Sequence, residues 1–210
     1  MLPRVLEPEV MDTEDEAREY DQMDHSEVNR RFVSDFLAVH HNGWTILDVG
    51  TGTALIPIEL CQLEKRALVI AVDAAEHMLR RAAVNVAGVG LVGRIHLKLV
   101  DAKALPFDDR SFPAVISNSI VHHIPHPRRV LAELVRVLAP GGTLFVRDLL
   151  RPADDATVTL LVNTYASGAT ETQRALFDAS LRAALSLGEV RGLVQELGIP
   201  PEGVTQTTDR

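Results

Sequence analysis

The stretch Ile46-Leu47-Asp48-Val49-Gly50-Thr51-Gly52-Thr53-Ala54 decides how this chain is read. An apolar run of strand length enters a turn with two glycines, and residues of helical pattern follow from about Thr53 to Leu63. Glycine has no Cβ, so such a turn lets backbone approach a ligand closely, beneath the unpaired donors of a helix N-terminus. Nicotinamide and flavin enzymes use similar turns. Their fingerprint, however, needs Gly or Ala three residues after the second glycine, and here that position is Leu55, which disfavours a dinucleotide.

Outward from this turn, helical and strand patterns alternate from Ser26 to about Leu150. Ser26 can cap a helix carrying Val28, Phe32, Val33, Phe36 and Leu37 on one stripe. Trp44 to Val49 reads as the first strand, Ala67 to Val72 as the second, and the alternation of Ile95, Leu97 and Leu99 as the third. Pro113 to Ser117 and Thr143 to Asp148 supply strands four and five. One intervening helix carries Met78, Leu79, Ala82, Ala83 and Val86 and closes at Gly88 and Gly90; another begins at Pro127.

This order specifies an α/β fold, a doubly wound and mostly parallel sheet with helices on both faces. Residues 1–42 form an acidic N-terminal segment and helix able to act as a lid, 43–150 the α/β core, and 151–210 the C-terminal helices of the same domain. Only Val204 to Thr208 reads as a strand near the C-terminus, so the C-terminal strand pair is expected to be incomplete. An open sheet edge can accept another chain, which predicts either a homodimer covering that edge or a frayed C-terminal segment.

Composition narrows the function. A net charge of −8 leaves no basic surface to neutralise phosphates, so no nucleic-acid partner is expected. Met1 to Asp15 is acidic and lacks an apolar targeting core, and no run approaches the roughly 18 apolar residues of a membrane span. A cytoplasmic protein with no membrane span is expected. The single cysteine, Cys61, lies among Ile58, Leu60 and Leu63 and reads as packing, and no metal is expected.

Three acids, Asp48, Asp73 and Asp101, each stand just beyond an apolar strand, where the ligand crevice of such sheets lies. Asp48-x-Gly50-x-Gly52 resembles the first motif of class I S-adenosylmethionine-dependent methyltransferases. Four segments extend the likeness in the same order: Val69 to Asp73, Val100-Asp101-Ala102 with Ala104 to Phe107, Ser117 to Ile124, and Arg136 to Gly142. Together they are similar to the ubiquinone/menaquinone-type (methyltransferase type 11/25-like) subgroup over about Ile46 to Leu149.

The resemblance implies S-adenosylmethionine as cofactor and a small-molecule methyl acceptor. It implies Asp48 and Gly50 near the methionine moiety, Thr51 and Gly52 in the close turn, and Asp73 on the ribose hydroxyls. Asp101 would accept from the adenine amino group, Ala102 would offer its backbone N–H, and Met78 or Ala74 would line the adenine face. Two positions depart from the family pattern. Ala54 replaces the third glycine and is expected at negative φ, and Pro113 replaces the aspartate that begins strand four, which should make that strand start late.

Methyl transfer from a sulfonium is one in-line displacement and needs no enzyme nucleophile. Where an acceptor must lose a proton, His122 or His123 can take it, and Asn118 can orient the acceptor, contact the cofactor or close a turn. Tyr20 and His25 either cover the site or serve surface and packing roles. The competing reading is a non-catalytic S-adenosylmethionine-binding or interaction protein with the same fold.

Overall fold

The computed structural model describes residues 2–7 and 12–209. These form two compact units, one of residues 12–118 with 132–147, the other of residues 2–7, 119–131 and 148–209.

The first unit contains a five-stranded parallel sheet with the order β3-β2-β1-β4-β5. Its strands are β1 (Thr45–Val49), β2 (Leu68–Asp73), β3 (Ile95–Leu99), β4 (Phe112–Asn118) and β5 (Leu138–Arg147). The order reverses between β1 and β4, so the carboxyl end of β1 opens onto a topological switch point, where ligands of open α/β sheets bind. Helices α2 (Ser26–Val39), α3 (Leu55–Leu63) and α4 (Glu76–Gly88) supply Phe32, Phe36, Leu60, Cys61, Ala82 and Val86 to a core shared with Ile46, Val69, Ile95 and Ile116 of the strands. Leu47 and Val49 are also fully buried. Successive side chains alternate across a strand, so β1 is covered on both faces, and its Ile46, Leu47 and Val49 are apolar around the buried Asp48.

Several local expectations are corrected. Ser26 is the first residue of α2 rather than its cap; its N–H donates to Asp24 and His25 occupies the cap position. The acidic leader forms a helix of its own, α1 (Glu14–Gln22), started by a capping box in which Thr13 and Glu16 satisfy each other's backbone N–H. Strand β4 begins at Phe112, not after Pro113, and its register against β5 shifts between Phe112 and Ala114. That irregularity accommodates a residue with no N–H to give to the ladder.

The second unit is built from α6 (Asp155–Tyr165), α7 (Glu171–Ala183) and α8 (Leu187–Glu196), with the first half of α5 (Pro127–Val137) and a 3-10 turn at Val121–His123. Val158, Leu161, Val162 and Leu181 form its core, against which Leu2, Leu149 and Phe177 pack. The N-terminal residues are fastened to α7: Val5 N donates to Arg182 O at 3.1 Å and Arg4 Nε to Ala183 O at 2.7 Å. Val204 to Thr208 is no strand. It follows a 3-10 turn at Pro201–Gly203, and Arg191 occupies the Val204 carbonyl. Among the described residues, β5 pairs with β4 alone.

Candidate functional site

The turn after β1 is shaped by β2. Gly50 N and Thr51 N both donate to Val72 O, at 2.9 and 3.0 Å, so the chain bends over the end of the neighbouring strand. Gly52, at φ +55°, then donates its N–H to Asp73 Oδ2 at 2.7 Å, while Asp73 Oδ1 accepts from Ala75 N at 2.9 Å. One carboxylate thus holds both the glycine turn and the start of α4.

Ala54 lies at φ +63°, contrary to the negative φ expected for it. It is the residue before α3 and is fully buried, so the turn keeps the left-handed backbone of a glycine and carries its strain. An L-residue pays about 1–2 kcal/mol for that conformation.

Burial dominates the electrostatics. Asp48 is 2% exposed, its Oδ2 has no hydrogen-bond partner, and burial together with the Asp73 charge pushes it up to about 7, against a downward pull from the Thr51 hydroxyl. Thr51 Oγ1 is likewise buried without an aligned hydrogen bond, its hydroxyl facing the Asp48 carboxyl. Asp73 is raised by burial, and the N–H groups of Ala75, Gly52 and Ala74 offset part of that rise. A buried acceptor left unsatisfied is costly, and this turn holds two polar oxygens that a ligand can satisfy.

Helix α1 lies over this turn. The Cε1 of Tyr20 is 3.6 Å from where a Cβ on Gly52 would stand, and its ring packs on Ala17, Ala75 and Met78. Tyr20 is driven up to about 12 by burial and by the charges of Asp73, Asp48 and Asp21. His25 packs on Tyr20 with ring centres 4.6 Å apart and the planes tilted by 31°. Asp21 fastens the helix end to α4 through Arg81 and Asn85, and Asn85 also donates to Thr53 O in the turn. Tyr20 thus packs against the glycine turn, whereas Asp21 and Asn85 went unremarked in the sequence because neither sits in a motif.

The remaining residues of this unit fall into place along the same edge. Val100 N donates to Asp73 O at 2.8 Å, which sets Asp101 immediately beyond β3 beside β2. Asp101 Oδ1 accepts from Lys103 N and pairs with its ammonium at 3.1 Å. Met78 is buried, Ala102 half-buried and Ala74 exposed. Asn118 ends β4, opposite Arg147 in the ladder with β5.

His122 and His123 belong to the second unit and form a cluster of their own. His122, 3% exposed, donates from Nδ1 to Asp148 Oδ1 at 2.5 Å, and its Nε2 stands 3.5 Å from Glu7 Oε1. His123 Nδ1 stands 3.1 Å from the same Glu7 oxygen, and the two imidazole centres are 4.1 Å apart. Burial pulls His122 down, but Asp148 and Glu7 outweigh it and leave its pKa raised; Asp148 and Glu7 are correspondingly lowered. Glu7 had no signal in the sequence, being one acid among many in an acidic leader.

Residues 47–146, from within β1 to within β5, match the family described as methyltransferase domain. That match starts one residue before Asp48 and takes in Asp73, Asp101 and Asn118. This stretch, just under half of the chain, is similar to class I S-adenosylmethionine-dependent methyltransferases. The chain is similar to the ubiquinone/menaquinone biosynthesis C-methyltransferase UbiE of Blochmanniella floridana, 30% identical over 60% of this chain and 49% of the relative. It is also similar to a phosphatidylethanolamine N-methyltransferase of Cereibacter sphaeroides, 34% identical over 51% of this chain and 52% of the relative. The chain spans about half the length of the curated relatives it matches. Among solved structures, an S-adenosylmethionine-dependent methyltransferase from Aquifex aeolicus shares the fold, with a TM-score of 0.67 at 20% identity over 89% of this chain and 88% of that one.

Proposed function

We propose that the chain binds S-adenosylmethionine across the carboxyl ends of β1, β2 and β3 and transfers its methyl group to a small-molecule acceptor by direct in-line displacement. When bound, this cofactor supplies the electrophilic methyl carbon. The observation that carries the reading is the glycine turn held by Asp73, with the unsatisfied Asp48 Oδ2 and Thr51 Oγ1 buried beside it. Asp48 and Gly50 would hold the methionine end, Thr51 and Gly52 would shape the turn, and Asp73 would accept from ribose hydroxyls. Asp101, Ala102, Ala74 and Met78 would receive the adenine, and Asn118 would stand at the reacting end. Tyr20, over the glycine turn, would exclude water there.

The residues of this site orient rather than react, since displacement at a sulfonium needs alignment and a dry environment more than an added nucleophile. An acceptor that arrives already deprotonated needs no proton removal by His122 or His123. Asp148 and Glu7 raise the pKa of His122, which works against that residue as a base. The acceptor atom is left open, because one relative is named for methylation of carbon and another for methylation of nitrogen. A homodimer would use the outer edge of β5, which light scattering at rising concentration reads.

The test is calorimetry with S-adenosylmethionine and S-adenosylhomocysteine, followed by a small-molecule acceptor screen with label in the methyl group. Saturable binding of both and transfer of label to an acceptor are expected. Absence of binding by either would overturn the proposal.

A further inference from the structure

The cluster of Glu7, His122 and His123 has no task in the cofactor reading, and its geometry is that of a ligand set. Three potential ligand atoms, one from each residue, lie within 4.8 Å of one another. Glu7 Oε1 stands 3.5 Å from His122 Nε2 and 3.1 Å from His123 Nδ1. Ligands about 2.0–2.1 Å from a zinc ion stand about 3.3 Å apart along the edges of a tetrahedron, which these separations bracket.

Each donor is already oriented. Ser180 Oγ donates to Glu7 Oε2 at 3.3 Å, which turns the other carboxylate oxygen toward the imidazoles. Asp148 engages His122 Nδ1, which fixes the tautomer and leaves Nε2 facing Glu7. A carboxylate behind a histidine is the usual support of a metal-bound imidazole. Asp148 is itself fixed by Val121 N at 2.6 Å and Leu149 N at 2.7 Å, and Arg4 pins the His122 and Ile124 carbonyls at 2.9 and 3.0 Å.

The decisive observation is what these groups lack. Glu7 Oε1 and His123 Nδ1 are both buried and make no aligned hydrogen bond; they meet as an ion pair at 3.1 Å, and the Glu7 side chain is only 9% exposed. Polar atoms left with that one contact, beside a third donor, gain from an occupant that all three can face. We propose that Glu7, His122 and His123 bind one divalent transition-metal ion of the zinc class, with Asp148 as the positioning residue behind His122. Two imidazoles and one carboxylate leave a fourth tetrahedral position open to water or another oxygen ligand. The charges balance: a dication meets two carboxylates and two neutral imidazoles. Any proton on the imidazoles at these positions is released to solvent as the ion binds.

This site also gives the N-terminal residues a role, since the ion would tie Glu7 to the 3-10 turn at Val121–His123. It departs from the metal-free expectation drawn from the sequence, where Glu7 could not be connected with the histidines.

The experiment uses the untagged full chain, stripped with a chelator, exchanged into chelator-free buffer and titrated with zinc chloride by calorimetry. One zinc per chain is expected, with Glu7→Gln and His123→Ala each weakening binding at least tenfold. Asp148→Asn should weaken it by about 10- to 100-fold, the range for groups supporting a metal-bound histidine. Circular dichroism of each variant shows whether the fold is kept. Cobalt(II) titrated into the unaltered chain should give the intense visible bands of four-coordinate nitrogen and oxygen ligation, a readout that needs no variant. No saturable zinc uptake, uptake unchanged in both Glu7→Gln and His123→Ala, or cobalt spectra of the hydrated ion alone would each overturn the assignment. No cofactor takes part, so the outcome is independent of the transferase proposal.

Discussion

Asp48→Asn gives the most direct measure of how the glycine turn is poised. The Asp48 carboxyl is 2% exposed and burial lifts it from 3.8 to about 7. Between those values the folded protein holds a proton that the unfolded chain has released. The stability tied to this proton is therefore complete below the unfolded value and is lost as pH rises through about 7. Inside that window one proton corresponds to about 1.4 kcal/mol per pH unit, so from about pH 5 to about pH 6.5 Asp48 should cost the unliganded chain about 2 kcal/mol. Asparagine has nearly the same shape and does not titrate. Urea unfolding of both proteins across this range should show the stability of the Asn variant rising by about that amount relative to the parent. The comparison removes contributions common to both proteins: His122, raised by Asp148 and Glu7, loses its stabilisation as pH rises, while the lowered Glu7 and Asp148 lose theirs as pH falls. Parallel curves for the two proteins would refute the argument that a buried, protonated carboxyl sits beneath this turn.

Two further substitutions probe the same region. Asp73→Ala should weaken S-adenosylhomocysteine binding by about 1.5–3 kcal/mol, roughly 10- to 150-fold, because hydrogen bonds to a charged acceptor are lost; a folded variant with unchanged affinity in calorimetry would remove Asp73 from the ligand set. Ala54→Gly should stabilise the chain by about 1 kcal/mol, since glycine takes the φ of +63° without the clash of a Cβ, and a lower urea midpoint would show that burial of the Ala54 methyl outweighs its strain.

The sheet was legible because each strand declares itself locally. Ile95, Leu97 and Leu99 alternate, Ile46 to Val49 is apolar except for Asp48, and Pro127 and Gly90 mark helix ends where the structure places them. Helix α1 escaped notice because it has no apolar stripe: Ala17 is its one buried residue, and the true signal was the Thr13-x-x-Glu16 capping box. Val204 to Thr208 misled in the opposite sense, since its β-branched residues fit a strand but strand formation needs a partner edge. The φ of Ala54 was misjudged by weighing its methyl group alone, when the turn it closes fixes the backbone first. The Glu7 cluster was invisible in principle, because nothing local connects an acid near the N-terminus with two histidines in the middle of the chain.

One detail of the fold bears on how a ligand is received. The segment Asp101 to Arg110, after β3, has no regular structure, yet its second half, from Leu105 to Arg110, is braced by the end of α5. Arg136 donates to the carbonyls of Leu105 and Phe107 at 2.8 Å and to Asp109 at 2.7 Å, and Glu133 accepts from Leu105 N at 2.8 Å. The ordering entropy of this loop is therefore charged to folding, before any ligand arrives. In the proposed cofactor site, a base beside Asp101 and Ala102 would meet a loop already held from Leu105 onward, with little rearrangement to wait for.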